Sequence, residues 1–137
     1  TITLDAGTHF NKVEVAYTGD TMSALPLVVG IIKRKEQGSM LLDELNGTMA
    51  YWEPLHGADG ITGVGSFLLE PALGVKVTGT QLLMQTSTPK AKPVVYYTGA
   101  AWNKAGVFTD AQTWFTHVQL TKIKIMQPLQ VGIVSIK

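Results

Sequence analysis

Three histidines, ten carboxylates and no cysteine are the groups with which this 137-residue chain could do chemistry. His56 sits in Glu53-Pro54-Leu55-His56-Gly57-Ala58-Asp59, with a carboxylate three residues to either side. Such a trio can bind an ion or share out acid and base roles. The same spacing also arises in an ordinary polar loop. His9 and His117 have no second ligand at metal spacing, so no metal or cofactor is expected, and His117 reads as an exposed helix residue. A glycosidase pair needs two carboxyl groups about 5–10 Å apart across a bound sugar. Only Glu14, Glu53 and Asp59 stand beside aromatics or in a long loop. There is no Gly-x-Ser-x-Gly elbow. Gly63-Val64-Gly65 lacks the lysine and helix of a phosphate loop.

The aromatics offer a binding surface instead. Trp52, Tyr96, Tyr97 and Trp102 fall at strand ends or turns. Flat amphipathic rings there can stack on sugar faces and suit wet interfaces. In a strand Tyr96 and Tyr97 must face opposite sides, so at least one is expected inside. Trp102 fits core or site equally, and Trp114 reads as core. Lys92 and Lys104 flank the segment and could pair with the carboxylate of an acidic sugar.

Positioning these groups requires strands. Phe10–Tyr17 alternates, with Val13, Val15 and Tyr17 on one face. Leu25–Ile32 is almost continuously apolar, which predicts a strand covered on both faces. The Lys33-Arg34-Lys35-Glu36 run closes it as a solvated end, and Gly19-Asp20 before it opens a polar loop. Met40–Leu45 and Thr48–Trp52 flank Asn46-Gly47, which predicts a tight hairpin turn with both central residues at positive φ. Strands are also expected over Gly63–Glu70, Gln81–Thr86, Val94–Tyr97 and Leu129–Ile136, with Pro71–Gly79 irregular and Thr88–Pro93 an exposed connection. Gly99 and Gly106 bracket a turn region. Thr109-Asp110-Ala111-Gln112 signals a helix start, with Gln112 placed as in a capping box. The helix is expected over Ala111–Leu120. Beyond it, Thr121–Ile125 alternates like a strand, and Pro128 stops it. The fold class is mainly β: an antiparallel sandwich with one C-terminal helix, forming a single domain over residues 1–137.

Composition narrows the function classes. Charged residues make up 15%, the formal charge is +1, and Arg34 is the one arginine. A nucleic-acid binder shows a concentrated basic face, so none is expected as a partner. No apolar run approaches the roughly 20 residues of a membrane span. The absence of cysteine permits an oxidising compartment. The chain begins at Thr1 directly in a strand-like run, which suggests a processed part of something larger.

Five stretches, taken in order, carry a family likeness: Phe10-Asn11-Lys12-Val13-Glu14-Val15, Ala50-Tyr51-Trp52-Glu53-Pro54, Tyr96-Tyr97-Thr98-Gly99-Ala100-Ala101-Trp102, Trp114-Phe115 and Pro128-Leu129. The set resembles the C-terminal part of the domain of unknown function 4861 family. That resemblance implies an exported bacterial protein, extracellular or periplasmic, in pectin or other uronate-polysaccharide breakdown. It implies a fold like the large sandwich of galactose mutarotase relatives. Thr121 and Lys122 depart from the family's regular amphipathic helix. Two readings follow. One is a carbohydrate-associated sandwich that takes an acidic oligosaccharide at Trp52, Tyr97, Trp102, Lys92 and Lys104 and need not be catalytic by itself. The other is an assembly module that pairs with another chain or a second copy through exposed strand edges.

Overall fold

The computed structural model describes residues 1–18, 24–35, 37–89 and 92–132. Among these residues nine strands run as β1 (Ile2–Leu4), β2 (Phe10–Val15), β3 (Ala24–Ile32), β4 (Ser39–Asp43), β5 (Thr48–Trp52), β6 (Thr62–Leu68), β7 (Gly74–Val77), β8 (Gln81–Pro89) and β9 (Val94–Trp102), followed by helix α1 (Ala111–Met126). One sheet has the order β1-β2-β9-β6-β5-β4 and the other β3-β8-β7. Every pairing is antiparallel. The expected sandwich with one C-terminal helix is therefore the fold, with the helix as a third layer on the six-stranded sheet.

Two apolar cores follow from that layering. One lies between α1 and the large sheet and holds Phe10, Trp52, Phe67, Phe108, Trp114 and Val118. The other lies between the sheets and holds Val29, Ile31, Met49, Tyr51, Leu82 and Met84. Strand β5 passes between both, so all five of its residues are buried. Alternate side chains point to opposite faces: Ala50 and Trp52 meet the helix core, Met49 and Tyr51 the inter-sheet core.

The helix can approach closely because the strands beneath it carry small residues. The register aligns Ala50 with Gly65, Gly65 with Gly99, and Gly63 with Ala101. A Cβ at Gly63 would stand 2.6 Å from Trp52 and 2.8 Å from Trp114, and one at Gly65 2.7 Å from Val118. Phe10 stacks on Trp114 with ring centroids 5.6 Å apart, a geometry worth about 0.5–1.5 kcal/mol beyond burial. Gly99 is thus a mid-strand residue and not a turn. A Cβ there would overlap the His9 carbonyl.

Several local expectations are corrected. β3 is not covered on both faces: its residues alternate, with Val29 and Ile31 inside and Val28 and Ile32 exposed. It forms the edge of the small sheet, with no layer outside it among the described residues. Pro71–Gly79 contains β7, and β8 extends through Thr88, whose hydroxyl bonds the Leu25 backbone. The β4–β5 hairpin exists, but Asp43 pairs with Thr48 and leaves a four-residue loop. Gly47 N–H donates to the Glu44 carbonyl at 3.1 Å, and Gly47 takes φ +52°. Asp43 accepts from the backbone and side-chain amides of Asn46 at 3.0 and 2.7 Å, which favours the longer loop. These bonds hold the Asp43 carboxyl below its usual range, with Lys122 adding to the effect.

Helix α1 is regular through Met126, past the strand-like alternation of Thr121–Ile125. Its cap is Asp110, which accepts from Thr113 N–H at 2.9 Å, while Gln112 bonds Thr116 instead of completing a capping box with Thr109. Lys122 lies on the buried side, below Trp114 and Val118, and its Nζ donates to the Asn46 carbonyl. Residues 128–132 form no strand and are exposed; the rest of the expected Leu129–Ile136 strand, and the Gly19-Asp20 loop, lie outside the described residues.

Candidate functional site at the end of β9

The expected site residues separate into three places. Trp52 is core: it is 5% exposed and packs beneath α1. Tyr97 is half-buried on the helix side, stacked on Phe67 at 5.1 Å, and Tyr96 turns to the inter-sheet core. Lys92 lies before β9 and Lys104 after it. Eight strand rises between Val94 and Trp102 span about 26 Å, so one short ligand cannot meet both lysines. Lys92 borders a separate cavity of about 210 Å³ with Glu70, Thr86 and Ser87.

Trp102 and Lys104 do come together with the backbone of the loop that carries His56 and Asp59. The loop after β5 makes a single turn of 3-10 helix at Gly57–Asp59 and folds against a second such turn, Asn103–Ala105, that follows β9. Asn103 fastens the two: its N–H donates to the Ile61 carbonyl at 3.0 Å, and its Oδ1 accepts from Ile61 N–H at 2.8 Å. Gly60 takes φ +91° here, and a Cβ would overlap Asn103 Oδ1. Trp102 Nε1 donates to the Asp59 carbonyl at 2.8 Å, and Lys104 Nζ donates to the Ala58 carbonyl. The indole is thereby fixed in orientation while half its surface, 50%, stays in solvent.

This ring walls a cavity of about 300 Å³, lined also by His9, Thr62, Ala100, Val107 and Phe108. The lining is apolar apart from Thr62 and the imidazole. Such a shelf suits the hydrophobic face of a small polar molecule, with the His9 imidazole and the Thr62 hydroxyl as its polar groups.

The acid–base trio is not assembled. Glu53 is held by Arg34 at 3.1 Å, and it is the backbone of Asp59, not its carboxylate, that meets Trp102. Among the described residues no three His, Asp or Glu side chains converge as metal ligands.

The histidines differ most from their sequence reading. His117 is half-buried, and its ring centroid is 5.2 Å from that of His9. Phe108 and Trp114 pack against it at 4.7 and 5.7 Å. Its Nε2 is buried without a hydrogen-bond partner among the described residues. Burial pushes the His117 pKa down, and the charges of His9 and Lys124 add to this. His9, Val107 and Phe108 were missed as site residues because only the pairing of Phe10 with Gly99 brings the His9 turn to the end of β9.

A helix-backed antiparallel sandwich with an aromatic shelf at one sheet end is thus the class of molecule. The chain belongs to the family described as domain of unknown function DUF4861, whose model matches residues 1–131. No curated protein and no solved structure matches it.

Proposed function

We propose that the chain is a carbohydrate-associated sandwich domain of an exported bacterial protein, and that it holds an acidic oligosaccharide on the Trp102 shelf. The supporting observation is the half-exposed indole, locked by its bond to Asp59 and facing an apolar cavity. A sugar ring presents C–H groups to such a face, and Lys104, two residues beyond Trp102 and held on the Ala58 carbonyl, is the cation this reading assigns to a uronate carboxylate. Trp52, Tyr97 and Lys92 have no part in this reading, and no catalytic group is assigned. The alternative, pairing with another chain through a strand edge, is favoured by the open edge of β3.

Tryptophan emission tests the proposal directly. Trp52 and Trp114 are buried, so a response to oligogalacturonide should come from Trp102. The expected result is saturable quenching or a spectral shift that is lost in Trp102→Ala with the fold intact, and weakened in Lys104→Ala. A neutral oligosaccharide of equal length should bind less well. No spectral change with any oligosaccharide would overturn the proposal.

A further inference from the structure

The molecule closes most of its sheet edges. β7 has four residues, carries Lys76, and its Val75 N–H is occupied by the Glu44 carboxylate at 3.2 Å. β1 has three residues, and β4 ends in Asp43. Short strands and charges are the usual means of blunting an edge. β3 has neither: nine residues from Ala24 to Ile32, none charged.

The direction of its backbone groups follows from the register. Lys33 N–H donates to the Thr80 carbonyl, and the β3–β8 pairing continues with Ile32 opposite Gln81. Antiparallel ladders alternate, so Leu25, Leu27, Val29 and Ile31 turn their N–H and C=O groups toward β8. Ala24, Pro26, Val28, Gly30 and Ile32 turn theirs outward. Among the described residues nothing bonds to the outward groups of Val28, Gly30 or Ile32. The same residues lie on the exposed face, with Val28 at 54% and Ile32 at 75%.

We propose that β3 pairs antiparallel with β3 of a second copy, about a two-fold axis at Gly30, joining the two small sheets into one six-stranded sheet. Three observations select this register, which is complementary to itself and so fits a second copy. Pro26 has no N–H to give. A two-fold at Gly30 sets Val28 opposite the partner's Ile32 and Gly30 opposite Gly30, so every residue in the ladder has its donor and Pro26 falls outside. A two-fold at Val28 would instead set Pro26 against Gly30 and leave carbonyls unmet. Next, the Gly30 register packs Val28 on Ile32 across the strands, covering two of the most exposed apolar side chains on that face. Finally, Lys33, Arg34 and Lys35 follow β3. The antiparallel arrangement sends the two basic ends apart, whereas a parallel one would bring them together. β3 belongs to the small sheet and Trp102 to the large one, so the proposed dimer and the sugar shelf can fail separately.

Sedimentation velocity on the whole chain over a concentration series tests this. Wild type should pass from monomer to dimer as concentration rises. Val28→Lys alone and Ile32→Glu alone should each remain monomeric, because each sets a charge against an apolar partner. Both positions are exposed, so circular dichroism and melting should be unchanged in either variant. An equal mixture of the two should dimerise, since the register sets the Val28→Lys side chain of one copy against the Ile32→Glu side chain of the other and Ile32 against Val28. A wild type that stays monomeric, a single variant that still dimerises, or a mixture that stays monomeric would each overturn the proposal.

Discussion

β5 and β3 are both apolar runs, yet they live in different solvents. Thr48-Met49-Ala50-Tyr51-Trp52 is buried at every position, while Ala24–Ile32 is buried only at alternate ones near its end. The difference lies in place, not composition. β5 has α1 on one face and the small sheet on the other; β3 has the large sheet on one face and nothing described on the other. An apolar run therefore reports that a strand can be covered, and the sheet order decides whether it is.

The comparison can be broken most decisively by truncation. Met49 is fully buried in β5, and Met49→Ala should lower stability by about 2–5 kcal/mol through lost contacts and a residual cavity. Val28→Ala on β3 should stay within about 0.5 kcal/mol, as exposed substitutions do. Urea unfolding at a protein concentration where the chain is monomeric reads both. Equal losses would mean that β3 is covered after all.

A smaller effect comes from adding a methyl group. Gly63→Ala puts a Cβ within 3 Å of both Trp52 and Trp114, so α1 must lift, and overpacking of this kind costs about 1–3 kcal/mol. Gly30→Ala is crowded only by Leu83 Cδ2 at 3.2 Å, the end of a half-buried and flexible side chain, with the Leu82 carbonyl at an ordinary 3.8 Å. Its effect should be within about 0.5 kcal/mol. Melting temperatures of the two variants measure the contrast.

The smallest effect is in pH. His117 packs among aromatics on the covered side of the large sheet, and burial lowers its pKa below the ordinary value of about 6.5. The folded protein therefore prefers the neutral ring. The His117 contribution is fully present above pH 6.5, and it is lost as pH falls from there toward the folded-state value. Denaturant midpoints should decline over that window, and less steeply in His117→Gln. A parallel decline in both would assign the loss to other groups.

Much of the architecture was legible in the residues. Alternation gave β2, and Asn46-Gly47 marked the β4–β5 hairpin. The polar residues before Ala111 and Pro128 after Met126 bounded the helix. What was illegible depended on long-range register. Gly99 looks like a turn residue until β2 and β6 are laid beside it, where it becomes the small residue that lets the His9 carbonyl pass. Trp52 looks like a surface ring until α1 is placed above it. The four-residue loop was hidden because Asp43, two positions upstream of the Leu45-Asn46 bond, binds Asn46 and takes the turn's geometry over from the Asn-Gly pair. The site suffered most: Lys92 and Lys104 flank one segment in sequence but stand at opposite ends of the strand it forms.

Lys122 has a consequence for fidelity. Its ammonium is sunk beneath the helix and bonded to a carbonyl of the β4–β5 loop, 76 residues earlier. Burial lowers its pKa and Asp43 raises it in part. A buried cation is tolerable only when its partners are in place. If β4 slipped by one residue against β5, the loop would change shape and present neither the Asn46 carbonyl nor the Asp43 charge at that point. The docked helix would then hold an unpaired charge. An apolar side chain at position 122 would accept the slipped and the true hairpin alike; lysine accepts only the one that answers it.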